Sequence, residues 1–150
     1  MAPAPLRNFV AGVIYTFLTT GEDTNGAYAL IHATVPPGSG PPPHIHRRED
    51  EAFFVLEGQL SFQVDGRSLP ATTGIRVTLP KGTLHAFKNT GTTPAKVLIL
   101  VNPSGLEKYF EEVGHANREE SVTPAAIEKL LAVAPKYGLE IQVPAQGDRP

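Results

Sequence analysis

Cysteine is absent from the 150 residues, which removes disulfide frameworks, thiolate zinc sites, iron–sulfur clusters and cysteine nucleophiles together. A reducing compartment suits such a chain. Positive charge is also scarce: 13 Lys and Arg stand against 15 Asp and Glu, and no basic run offers the footprint that a phosphate backbone requires. Nucleic acid is therefore not an expected partner. Long apolar runs are missing too, because the longest near the start, Phe9 to Leu18, is broken by Gly12 and Thr16. It falls well short of the roughly 20 residues that span a bilayer. Only Arg7 precedes it as a basic residue and no A-x-A-like cleavage site follows, so neither membrane span nor signal peptide is expected. The expected location is the cytoplasm.

What is present is globular: 41% hydrophobic and 19% charged residues, at a length usual for one domain spanning 1–150. The 15 Pro and 14 Gly make nearly a fifth of the chain and fall between apolar runs without repeating. That placement predicts tight turns between short strands, at Val10–Leu18, Ala27–Val35, Ala52–Leu56, Leu60–Val64, Ile75–Leu79, His85–Lys88 and Lys96–Val101. Leu69 to Gly74 reads as one of the turns. Near-regular spacing of this kind predicts an all-β antiparallel sandwich or barrel over about 10–101. From about 104 to 138 the texture becomes helical. Ser104 to Glu107 looks like a capping box, with Leu106, Phe110 and Val113 at helical spacing before Gly114. A second helix should begin at Thr123 as N-cap with Pro124 behind it, carry Ile127, Leu130 and Leu131 on one stripe, and stop at Gly138. These helices are expected on the outside of the barrel, and Pro144 to Pro150 as a loose tail.

The chemistry begins at His44-Ile45-His46. Residues two apart on a strand share a face, so both imidazoles can reach one point. Glu51 lies five residues beyond His46, an odd offset that a straight strand would turn the wrong way. Arg47 to Asp50 reads as a solvated charged bend that resets the alternation and brings Glu51 inward with Phe53 and Val55. His85 follows a Pro80-Lys81-Gly82 turn, shares a face with Phe87 and Asn89, and supplies a possible fourth ligand. Three imidazoles and one carboxylate suit a single divalent transition metal ion: Fe, Mn, Co, Ni, Cu or Zn. Four protein ligands leave positions open for water, dioxygen or a substrate oxygen.

The segment from Gly38 through His44-Ile45-His46 and Glu51 to Gly58 resembles the first motif of the cupin superfamily. Gly74, Pro80, Gly82, His85 and Asn89 stand at the spacing of the second. The glycine before the histidine pair is offset, with Gly38 and Gly40 both available. The resemblance implies a cupin-type double-stranded β-helix, or jelly-roll, barrel. It also implies a homodimer and a mononuclear metal held by His44, His46, Glu51 and His85. Segments at Gly21–Thr24, Glu49–Phe53 and Lys136–Gly138 resemble the single-domain quercetinase-like branch. That likeness implies a dioxygenase acting on an enolisable or flavonol-like small-molecule substrate, with Glu51 as catalytic base. A metal-dependent isomerase or cyclase, and a non-catalytic binder of a sugar or other small ligand, stay open as alternatives.

Phe53, Phe87 and Asn89 share faces with ligands and are the candidate substrate-binding residues, core filling being the plain alternative for the two phenylalanines. Tyr15 and Phe17 alternate on the first strand and read as core, without a catalytic role. His32 belongs to neither motif, and His115 reads as exposed in a polar connection. Phe54 and Leu56 point away from Glu51, so that strand is apolar on both faces and needs cover outside.

Overall fold

A computed structural model of the protein describes residues 6–142, and the expected loose tail from Pro144 onward lies outside them. The first apolar stretch is two strands, Arg7–Val10 (β1) and Val13–Thr19 (β2), rather than the single expected one. Ala11 and Gly12 between them both have positive φ, the conformation of a two-residue turn whose twist suits a β-hairpin. Gly21–Thr24 (α1) closes a helical turn where a plain turn was expected. Six strands follow in quick succession: Ala29–Val35 (β3), His44–His46 (β4), Asp50–Glu57 (β5), Gln59–Val64 (β6), Arg67–Thr72 (β7) and Arg76–Leu79 (β8). His85–Asn89 (β9) and Ala95–Asn102 (β10) complete the barrel. β7 takes in most of the expected Leu69–Gly74 turn. Pro70 is tolerated there because β7 is the edge strand of its sheet, where a missing N–H breaks no ladder on the outer side.

With a last short strand, Leu139–Ile141 (β11), the strands form two antiparallel sheets, β1-β2-β3-β10-β5-β8 and β11-β4-β9-β6-β7, facing each other as a jelly-roll barrel. Alternation decides the interior. On β3 Ile31, Ala33 and Val35 are buried while Leu30, His32 and Thr34 are not, and β10 buries Val97, Ile99 and Val101 likewise. Phe53 of one sheet meets Phe62 and Phe87 of the other at 5.2 and 5.7 Å between ring centroids. Each such fully buried side chain stabilises the fold by about 1.5–3 kcal/mol relative to exposure.

Past β10 come Leu106–Val113 (α2), Arg118–Ser121 (α3) and Pro124–Val133 (α4). A 3₁₀ turn at Ala134–Tyr137 then leads into β11. Ser104 is not the cap of α2, which begins after Gly105. Instead the buried Glu107 carboxylate accepts the N–H groups of Gly105 at 2.6 Å and Gly21 at 2.7 Å, tying α1 to α2. Thr123 caps α4 as expected, accepting the Ala126 N–H at 3.2 Å. α4 ends at Val133, short of Gly138, because Pro135 follows within two residues and cannot continue the ladder. The helices do not sit on the outside of the barrel. Leu106, Tyr109 and Phe110 of α2 and Ile127, Leu130 and Leu131 of α4 close over its mouth, where Phe110 stacks on Tyr15 at 4.1 Å. No described helix is long and apolar enough to cross a membrane.

Candidate metal centre

β4 is three residues long, and its two neighbours hold it in register. His44 pairs directly with His85 of β9 on one side, while Leu139 and Ile141 of β11 pair with His46 and His44 on the other. After His46 the chain leaves the second sheet, and by Asp50 it has entered the first as β5. The crossing resets the alternation, so Glu51 faces the histidines from the opposite wall. One ligand atom from each of His44, His46, Glu51 and His85 lies within 4.8 Å of the others. Donors at about 2.0–2.2 Å from a common ion span little less than that. His46, Glu51 and His85 are buried and His44 is half-buried.

Hydrogen bonds set the ring tautomers. His44 Nδ1 donates to the Pro42 carbonyl at 2.8 Å, His85 Nδ1 to the Thr83 carbonyl at 3.0 Å, and His46 Nδ1 to Glu49 Oε1 at 2.8 Å. Carbonyl and carboxylate oxygens only accept, so each Nδ1 carries hydrogen and each Nε2 is the atom presented to the centre. Glu51 Oε1 stands 2.5 Å from His46 Nε2 and 3.7 Å from His85 Nε2. Neither Glu51 Oε1 nor His85 Nε2 has a hydrogen-bond partner, although both are fully buried. Orphaned buried polar atoms cost roughly 1–3 kcal/mol each, and a cation at their focus would remove that cost. The donor set therefore fits a divalent transition metal ion.

The three imidazoles differ in their electrostatics. Burial, helped by His85 and His46, pulls His44 down to about 3, and burial pulls His85 below its ordinary value, so both present lone pairs at neutral pH. Burial opposes charge on His46 as well, but Glu51 and Glu49 overcome it and push that imidazole up to about 9. Burial raises Glu51, yet the imidazoles, His46 foremost, outweigh it and hold the carboxyl below its ordinary range.

Glu49 is the residue that sequence reading missed. The charged run was expected to be a solvated bend, but Glu49 is only 4% exposed. The rest of the run is also engaged: Arg47 pairs with Glu140 at 2.9 and 3.0 Å, Arg48 donates to the Lys136 carbonyl, and Asp50 accepts the Lys81 N–H. No signal in the sequence separates Glu49 from its charged neighbours, since its burial depends on where β4 hands over to β5.

A cavity of about 130 Å³ opens beside the cage, between the sheets and under α2 and α4. His44, His46 and Glu51 form one end of it, and Phe53 and Phe87 border it. Asn89 does not line it. Its amide donates to the Val35 and Thr93 carbonyls and its oxygen accepts the Gly91 N–H, all at 2.8 Å, so its side chain is committed to holding loops rather than to substrate. Tyr15 lines the cavity, and Phe17 stacks on Phe110 outside its lining. His32 is on the outward face of β3, and His115 is half-buried against β1 rather than freely exposed. Among the described residues no Lys, Arg, Ser, Thr, Asn or Gln lines the cavity.

Comparison with known proteins matches the cupin domain to residues 31–101, the span that holds all four clustered side chains. The chain is 25% identical over 101 residues to quercetin 2,3-dioxygenase of Bacillus subtilis, covering 67% of this chain and 30% of that protein. It is 28% identical over 97 residues to the tetracenomycin polyketide synthase protein TcmJ of Streptomyces glaucescens, covering 65% and 63%. Each match thus spans less than two thirds of the relative's length. Among solved structures, a predicted oxalate decarboxylase of Thermotoga maritima superposes with a TM-score of 0.60 at 27% identity, over 67% of this chain and 92% of that one.

Proposed function

The chain belongs to the cupin superfamily, and from that premise we propose that it is a metal-dependent dioxygenase acting on an enolisable or aromatic small molecule. One observation carries the metal-dependent part: three imidazoles, each tied back through Nδ1, turn their Nε2 atoms on the same point as an unpartnered Glu51 oxygen. His44, His46, Glu51 and His85 would hold one divalent ion of Fe, Mn, Ni, Co, Cu or Zn. Once bound, the ion would supply Lewis acidity towards a substrate oxygen and, if redox-active, a path for electrons to dioxygen.

The cavity wall supports the choice of substrate. Phosphorylated sugars and dicarboxylates call for cationic side chains, and free sugars for many hydrogen-bonding ones; the described lining has neither kind beyond the cage and two tyrosines. Its aromatic and aliphatic walls suit a flat apolar ring. A cavity of about 150 Å³ is known to hold benzene, so the space here receives a single ring beside the cage. Phe53 and Phe87 would orient that ring and exclude water. Glu51, buried and held in its ionised form, would take the proton of an enolic or phenolic hydroxyl.

A second reading, rearrangement or ring closure of a carbonyl substrate without oxygen, draws on the likeness to a polyketide synthase protein. Elemental analysis followed by oxygen uptake with single-ring enols, catechols and flavonols separates the two. The dioxygenase reading expects about one ion per chain, uptake with at least one compound, and loss of uptake in Glu51→Gln with the ion retained. Turnover that proceeds equally without air transfers the case to the second reading. For the assembly we propose a homodimer, on the ground that Phe54 and Leu56 are 39% and 44% exposed on the outside of the first sheet. A monomeric mass by light scattering would refute it.

A further inference from the structure

Tyr15 stands on the inner face of β2 and is 5% exposed. Its ring is pinned by Phe110, stacked at 4.1 Å and 14° between planes, with Phe17 alongside. A buried tyrosine hydroxyl ordinarily finds a hydrogen-bond partner. That of Tyr109, on the same cavity wall, does so: it donates to the Leu130 carbonyl at 2.8 Å. The Tyr15 hydroxyl makes no hydrogen bond to a described residue and is not one of the sealed, unpaired polar atoms, and its residue lines the same cavity as His44, His46 and Glu51. Burial and the nearby Glu51 carboxylate raise its pKa, so it keeps its proton and remains a donor. With the Tyr109 hydroxyl spent, Tyr15 offers the one uncommitted side-chain hydroxyl on the described wall.

We propose that the Tyr15 hydroxyl is a specificity-determining donor to the substrate, so that the cavity selects a ring carrying a second, hydrogen-bond-accepting oxygen apart from the one held at the cage. This rests on the reading of the cavity as a site for an enolic or phenolic ring and extends it. A ring with one hydroxyl and no other oxygen would enter the same walls but leave Tyr15 unpaired. A ring that also bears a carbonyl would satisfy it.

The test is binding rather than turnover, on protein loaded with zinc so that no redox chemistry consumes the probe. Calorimetry with the three hydroxyacetophenones and the three ethylphenols compares rings of one shape with and without the carbonyl. Tyr15→Phe keeps the stacked ring and removes only the donor, and its melting temperature reports folding. The expected result is that at least one hydroxyacetophenone binds about 3- to 10-fold more weakly to Tyr15→Phe than to the unaltered protein, while the ethylphenols bind both equally. Tyr109→Phe, which removes a committed hydroxyl, should leave the ratio of ketone to ethylphenol affinity unchanged. Equal loss for ketones and ethylphenols, or no loss for any ketone, overturns the assignment of Tyr15 while leaving the aromatic reading intact. Failure of all six compounds to bind the unaltered protein overturns the aromatic reading, and this inference with it.

Discussion

Glu49, His46 and Glu51 lie in line with one imidazole between two carboxylates: Nδ1 donates to Glu49 at 2.8 Å, and Nε2 stands 2.5 Å from Glu51 Oε1. A carboxylate behind a ligating histidine fixes the ring and strengthens its donor nitrogen, and removing such a partner typically costs 10–100-fold in metal affinity. Glu49→Ala is expected to weaken zinc binding by about that factor, and Glu49→Gln by less because its amide oxygen can still accept; competition with a chelator measures both. The histidines also set a pH profile for the ion-free protein. His46, pushed up to about 9, contributes stability that is complete below the unfolded value of about 6.5 and is lost as pH rises through 9. His44, pulled down to about 3, acts in the opposite sense, withdrawing stability as pH falls below about 6.5. Chelator-treated protein should therefore melt at its highest temperature near neutrality and lose stability on both sides. Metal and proton compete for His46 Nε2, so calorimetry in buffers of different ionisation enthalpy should find a proton released on zinc binding at pH 7 that disappears above about pH 9.

At the scale of elements, the strands that carry the ligands depend on loops laid directly against them. Gly40 shows why a glycine stands before the histidine pair: a Cβ there would lie 1.8 Å from the Phe87 carbonyl oxygen of β9. The 36–43 loop is bound to that strand's end by the Gly38 N–H to the Asn89 carbonyl and the Asn89 N–H to the Ser39 carbonyl, each at 2.9 Å. Gly40→Ala should force loop and strand apart, lowering stability by about 1–3 kcal/mol or more and reducing bound metal, as thermal melting and elemental analysis would show. Asn89→Ala leaves two carbonyls and an N–H without their partner. It should cost at least about 1–3 kcal/mol of stability, with the zinc affinity of the folded fraction little changed. A large loss of affinity for the aromatic probes in folded Asn89→Ala would restore the substrate role that the geometry denies it.

Over the whole molecule, neither sheet makes the site alone: the second supplies three histidines, the first supplies Glu51, and the C-terminal helices roof the space between. β11, coming after those helices, fastens the roof to β4 through Leu139 and Ile141, with Arg47 and Glu140 paired alongside. That ion pair is half-exposed and screened by water, so the β11 ladder and its buried Leu139 carry the join. Arg47→Ala should accordingly shift the melting temperature only slightly. Leu139→Ala, which cuts away a buried side chain next to His46, should cost about 2–5 kcal/mol and loosen metal binding as well.

The pattern of residues determined the barrel, because alternation along each strand and glycine or proline between strands are local properties that the chain carries wherever it folds. It pointed to the clustered histidines too, since the two-residue spacing of His44 and His46 puts both on one strand face before any neighbour is known. The break at Ala11-Gly12, the edge strand containing Pro70, and β11 escaped it because each is settled by pairing with a distant segment. Tertiary structure alone decided that Glu49 turns inward, that Asn89 serves loops, and that the helices roof the barrel instead of cladding it. A charged or polar side chain looks the same in sequence whether water or a buried partner satisfies it, and only the assembled sheets decide which.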